Sequence, residues 1–187
     1  MGCVGNVCWN ETNSDMKREI RFVSRTEEFE LIDTLGDELL EAGLDSSNSI
    51  IITVSTDYSS IAGQILRHHL TSDGEICEGF GIDVPYPDEN WDDRYEFEMR
   101  TAFQTHKHLL KGKIPILVEA GVIRGSNYKY VTEWMKNILG YDGKIFTLTV
   151  YENLGSEFKS DFVGNFYDDS IQDLTFWWER DNNHWIS

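Results

Sequence analysis

The run Ile50-Ile51-Ile52-Thr53-Val54 constrains this chain more than any other feature. It is short, β-branched throughout and lacks polar alternation, so a strand made of it must be covered on both faces. Such strands belong to parallel sheets sandwiched between helices, and the flanking pattern agrees. Ahead of the run, Phe29, Ile32, Leu35, Leu39 and Leu40 recur at helical spacing, with Ser24 and Glu27 as a capping box and Gly43 as the stop. Behind it, Ile61, Ile65, Leu66 and His69 share one helical face, capped by Ser59 or Ser60 and broken at Asp73-Gly74. The alternation then repeats. Residues 75–82 read as a strand and 95–110 as an amphipathic helix. A buried strand follows at 114–118, a turn at 119–126, a helix with the face Val131, Trp134, Met135, Ile138 and Leu139, and a strand at 144–151. The predicted fold is α/β, a mainly parallel twisted sheet flanked by helices, in a single domain over 1–187 with its core at about 20–151. An aromatic segment at 161–187 adds one or two strands. Met1 to Met16 carries no pattern.

Charge narrows the function classes. The 187 residues include 33 acidic and 16 basic side chains, a net charge of −17. That field repels a phosphate backbone, so duplex nucleic acid is excluded as a partner. A small anion remains admissible if backbone amides, a few cations or Mg²⁺ offset the field locally. No apolar run reaches the roughly 20 residues of a membrane span, and no signal-peptide order opens the chain, which predicts a cytoplasmic protein without membrane contact. Cys3, Cys8 and Cys77 match no zinc or redox spacing and read as reduced thiols. Neither a nucleophile elbow nor a Gly-x-x-x-x-Gly-Lys-Ser/Thr loop occurs.

In a doubly wound sheet, ligands bind beyond the carboxyl ends of the strands, where helix N-termini expose amides. Two turns are placed there, Ser55 to Ser60 and Glu119 to Asn127. The second suits an anion. Gly121 and Gly125 let the backbone approach closely, Ser126 and Asn127 can cap the helix and donate to a phosphate, and Arg124 supplies a forked cation. Glu119, placed at the strand end, can accept hydrogen bonds from a sugar diol. An ordinary surface ion pair between Glu119 and Arg124 is the competing reading.

The segment ILVEAGVIRGSNY resembles the phosphoribosyl-pyrophosphate loop of the type I phosphoribosyltransferases: an apolar strand, two acids, then a glycine-containing, hydroxyl-rich run. Glu119 matches the first acid, Arg124 the position before the glycine, and Gly125 the glycine. The chain departs from the pattern at Ala120, which takes the second acidic position, at Gly121 and Ile123, and at Asn127, which replaces the last hydroxyl or cation. The resemblance covers about 48–180. It implies a hood loop region at 75–98, pyrophosphate held at Thr56, Asp57, Tyr58 and Ser59, and Phe176 or Trp178 stacking on a base within SDFVGNFYDDSIQDLTFWWERD. It further implies phosphoribosyl pyrophosphate or a nucleotide as ligand, a nucleobase acceptor, Mg²⁺ on the pyrophosphate, and Glu119 as the catalytic carboxylate on the ribose. Arg124, Gly125, Ser126 and Asn127 would bind the 5′-phosphate.

The residues also support a second class, a binding or regulatory protein that keeps this scaffold without transfer and acts as a nucleotide sensor or presents its acidic face to a basic partner. Along a strand, Phe176 and Trp178 share one face while Trp177 takes the other. Core and dimer-interface roles are the default for such aromatics, so a homodimer is among the admissible partners. His106, on the apolar helix face, reads as a core histidine.

Overall fold

The computed structural model describes residues 2–4, 7–10, 18–54, 56–84, 93–168 and 171–177. In chain order these form β1 Gly2–Val4, β2 Val7–Asn10, β3 Arg18–Val23, α1 Arg25–Glu41, β4 Ser49–Val54, α2 Thr56–His69, β5 Gly79–Ile82, α3 Asp93–His106, a 3₁₀ turn Lys107–Leu110, β6 Ile114–Val122, α4 Ser126–Asn137, β7 Phe146–Asn153, β8 Phe162–Tyr167 and β9 Ile171–Phe176.

The main sheet has the order β5-β4-β6-β7-β8, with every neighbouring pair parallel. The interior strand β4 is buried along its whole length, as its unbroken apolar run requires. Helices α1 and α2 cover one face, where Ile32, Leu35, Leu39 and Leu66 meet Ile51, Ile116, Val118, Leu148 and Val150. Helices α3 and α4 cover the other, where Phe103, Val131, Trp134 and Met135 meet Ile52, Val54 and Leu117. The fold is therefore the expected parallel α/β sheet. Burying some thirty apolar side chains at roughly 1.5–3 kcal/mol each gives the gross driving force, which chain entropy largely offsets.

A second sheet, β1-β2-β3-β9, joins the two ends of the sequence. The first three strands are antiparallel, and β3 pairs in parallel with β9, setting Val23 beside Phe176. Part of the stretch 1–16, featureless in sequence, thus becomes a strand pair that reaches the C-terminal strand β9 through β3. The turn from β3 into α1 fastens this sheet to the main one. Ser24 caps α1 by accepting from the Glu27 N–H at 3.2 Å. The Glu27 carboxylate does not return to Ser24 as a capping box would; it takes hydrogen bonds from Arg21 at 2.6 Å and from the Tyr151 hydroxyl on β7. Glu28, fully buried, accepts from Trp177 Nε1 at 2.7 Å.

Candidate functional site

The strand expected to end at 118 runs on to Val122, because Gly121 pairs with Tyr151 and Val122 with Glu152 on β7. Glu119, Ala120 and Gly121 therefore lie in β6, not in a turn, and the connection to α4 shrinks to residues 123–125. The Tyr167 hydroxyl donates to the Val122 carbonyl at 3.3 Å and pins the strand end. Ile123, 64% exposed, and Arg124 face solvent at the tip.

Gly125 is the N-cap of α4 at φ 72°, ψ 15°, in the left-handed region. Only glycine fits, for two reasons. A side chain is strained at that φ, and a Cβ there would meet Phe158 Cβ at 2.3 Å. Phe158 also stacks on Tyr128, with ring centres 5.5 Å apart, and its carbonyl accepts from Ser156 Oγ at 2.7 Å. Its loop is held firmly: Gly155 N–H donates to Asn153 Oδ1 at 2.6 Å, Ser160 N–H to buried Glu152 at 2.8 Å, and Thr147 and Asp161 share three hydrogen bonds. Ser126 and Asn127, expected as caps, instead form the first residues of α4, since Gly125 takes the cap position through its backbone. Both are half-buried.

Glu119 departs furthest from expectation. It is 5% exposed, and Asn127 Nδ2 donates to its Oε1 at 2.7 Å. Burial pushes its carboxyl up to about 7, with the Asn127 hydrogen bond opposing. Among the described residues no ion pair joins it to Arg124, so neither the open mouth carboxylate nor the surface pair describes it. Tyr128 beside it is fully buried, its hydroxyl bonded to the Leu148 carbonyl and its ionisation suppressed, first by burial and then by the Glu119 charge.

The other expected turn is also shorter than predicted. Thr56, Asp57, Tyr58 and Ser59 are the first turn of α2, which starts two residues beyond Val54, so capping at Ser59 or Ser60 does not occur. Because β4 and β6 are parallel neighbours, the N-terminus of α2 and residues 123–127 share the carboxyl edge of the sheet. Phe176 reaches the same edge: a Cβ on Gly121 would lie 3.9 Å from its ring, which packs edge-on against Tyr151 at 6.1 Å. Phe176 is only 4% exposed. Trp177 turns the other way to Glu28 and Phe29, while Trp178 and residues 85–92 of the expected hood lie outside the described residues. Sequence reasoning missed Phe158 and Tyr151, which carry no motif; only the end of β7 and its loop bring them to the site.

Among the solved structures that match the chain, three are similar over most of its length. A purine phosphoribosyltransferase from Pyrococcus horikoshii is 19% identical, with 86% of this chain and 94% of that one covered at a TM-score of 0.62. The Helicobacter pylori xanthine-guanine-hypoxanthine phosphoribosyltransferase is 15% identical, covering 88% and 95% at 0.60. A hypothetical protein from Neisseria gonorrhoeae with bound ppGpp is 14% identical, covering 89% and 92% at 0.63. The chain has the phosphoribosyltransferase fold. No protein-family model matches the sequence, and no curated protein matches it.

On this fold the expected Mg²⁺ has no resident cage: among the described residues no group of three or more His, Cys, Asp or Glu side chains is placed to hold a metal. No helix among them is long and apolar enough to cross a membrane. Cys77 is buried and its thiol is pushed up to about 11 by burial, which makes it inert. His106, expected in the core, is only half-buried; it stacks on Phe80 at 4.6 Å, burial lowers its pKa, and its Nδ1 finds no hydrogen-bond partner among the described residues.

Proposed function

We propose that the chain binds a nucleotide or phosphoribosyl ligand by its 5′-phosphate at residues 123–127 and acts as a binding protein with little or no transfer. The observation that carries this reading is the left-handed Gly125, fixed by Phe158 at the start of α4. A preformed turn at a helix N-terminus offers amides and a favourable dipole to an oxyanion at no cost of ordering. Exposed Arg124 adds a forked donor and Ser126 a hydroxyl. The N-terminus of α2, at Thr56 to Ser59, suits a second phosphate group such as pyrophosphate, and Phe176 lies at the same edge of the sheet. Mg²⁺ would supply charge neutralisation on a polyphosphate as the ligand's counter-ion, which suits an acidic chain whose described residues place no group of three metal-ligating side chains together. The likeness to a fold partner with bound ppGpp favours a guanine nucleotide as the first ligand to try. A cytoplasmic setting and a homodimer remain part of this proposal.

The carboxylates argue against fast transfer. Glu119 is engaged with Asn127, and Ala120 and Ile123 offer none. The second reading, an active phosphoribosyltransferase with a purine acceptor, rests on the likeness to two purine enzymes and requires Glu119 to leave Asn127 for the ribose. Calorimetry with GMP, ppGpp and phosphoribosyl pyrophosphate, each with Mg²⁺, followed by a pyrophosphate-release assay across the purine bases, separates the two. Binding without base-dependent release is expected. Turnover would install the second reading, and no binding of any of the three would sink both.

A further inference from the structure

The Glu119–Asn127 bond joins a carboxyl sealed inside β6 to a half-exposed amide on the first turn of α4. We propose that Glu119 is a positioning residue: by exchanging a proton it sets whether Asn127 presents its carbonyl oxygen or its NH₂ group to an oxyanion at residues 123–127. The inference rests on the binding reading above.

Hydrogen-bond polarity carries the argument. In the structure Asn127 Nδ2 donates inward to Glu119 Oε1, so the amide's acceptor, Oδ1, is the end left to face outward. An outward acceptor repels a phosphate oxygen. When Glu119 takes one proton from solvent, its O–H donates to Asn127 Oδ1, the amide turns over, and NH₂ donates to the anion. No covalent bond other than O–H forms or breaks, and the proton returns to solvent when the anion leaves. A dianion above the turn also favours the neutral acid through Coulomb repulsion across a dry interval. By linkage, anion binding then takes up as much as one proton. A carboxyl sitting near 7 in the free protein is poised for this exchange at neutral pH.

The other ionisable groups on this side are accounted for. Tyr128 on α4 is bound to the Leu148 carbonyl and stays neutral. Glu152 on β7 is held by Ser160 N–H and by Lys159 at 3.3 Å, and Asp161 by Thr147. From α3, Glu96 faces Tyr130, one turn further along α4.

GMP is a suitable probe, because a phosphomonoester's second pKa of about 6 leaves it dianionic above neutrality. Titrations from pH 7 to 8.5 should show the Kd of the wild-type chain rising about tenfold. Glu119→Gln, whose NH₂ donates to Asn127 Oδ1 at every pH, should bind with a flat profile and at pH 8.5 more tightly than wild type. Calorimetry of the wild type in two buffers of different ionisation heat should give proton uptake approaching one per GMP at pH 8, a readout that stands even if the variant folds poorly. A wild-type slope retained in Glu119→Gln, or binding without proton uptake, overturns the positioning role and leaves the binding reading intact. Absence of GMP binding at every pH removes the binding reading itself.

Discussion

The two faces of the main sheet are built differently. Against α1 and α2 the sheet buries mainly aliphatic residues, from Ile51 through Val118 to Val150, with Tyr151 and Tyr167 at its far edge. Against α3 and α4, towards the carboxyl edge of β6 and β7, it buries Glu119 and also holds Tyr128 with its bonded hydroxyl. Glu152, Thr147 and Thr149 are buried along β7 as well. Polar groups in a core are costly unless satisfied: Glu119 is tied to α4, Glu152 and Thr147 to the loop before β8, Tyr128 to the Leu148 carbonyl and Thr149 to the Tyr151 carbonyl of its own strand. The first face holds the fold together; the second holds one turn in one conformation.

The sharpest way to break that contrast is Gly125→Ala. It meets both a φ of 72° and Phe158 at 2.3 Å, so a loss on the order of 3 kcal/mol or more is expected in chemical denaturation, with GMP affinity abolished. A glycine-to-alanine change tolerated within 0.5 kcal/mol would show that the turn is not locked. Ala120→Asp tests the aliphatic face. The family pattern wants an acid there, but Ala120 is 1% exposed inside the α1/α2 core, so the new carboxylate should lower stability by roughly 3 kcal/mol without improving phosphoribosyl pyrophosphate affinity. Gained affinity would mean that position 120 faces the ligand.

The polar face should also respond to pH. Glu119 binds its proton more tightly in the folded chain, about 7 against an ordinary 4.5. Its contribution is therefore complete below about pH 4.5 and lost as pH rises through about 7, a fall on the order of 3 kcal/mol. Comparing urea midpoints of wild type and Glu119→Gln across that window isolates it; parallel curves would contradict the buried acid. The smallest effect is expected at Gly36 on α1, where a Cβ would strike the His69 ring at 2.4 Å, the ring that sits between Asp33 and Asp37. Helix propensity alone favours alanine by up to about 1 kcal/mol, yet Gly36→Ala should lower the melting temperature by several degrees. A stabilised variant would mean that α1 and α2 are not so closely clasped.

Much of the site was readable only as a list of residue types. The unbroken run at 50–54 announced a strand covered on both sides, and Gly43 and Gly74 marked the ends of elements, both at positive φ. The phosphate turn was legible because Gly125 beside Arg124 and Ser126 is a local signal. The direction in which Glu119 and Ala120 point was not, because it depends on whether β7 continues to pair beyond Val118. That pairing is set by Tyr151 and Glu152, some thirty residues away in sequence.

The sequence by itself determined the class of fold, since periodicity and β-branching dictate which segments must be buried on one face or two, and it determined where an anion-binding turn could form. Tertiary structure alone decided the rest. It joined residues 2–10 to the C-terminal strand through β3, extended β6 so that a mouth carboxylate became a buried acid, and set Phe158 against Gly125. Each of these depends on contacts between segments distant in the chain, which no local pattern encodes.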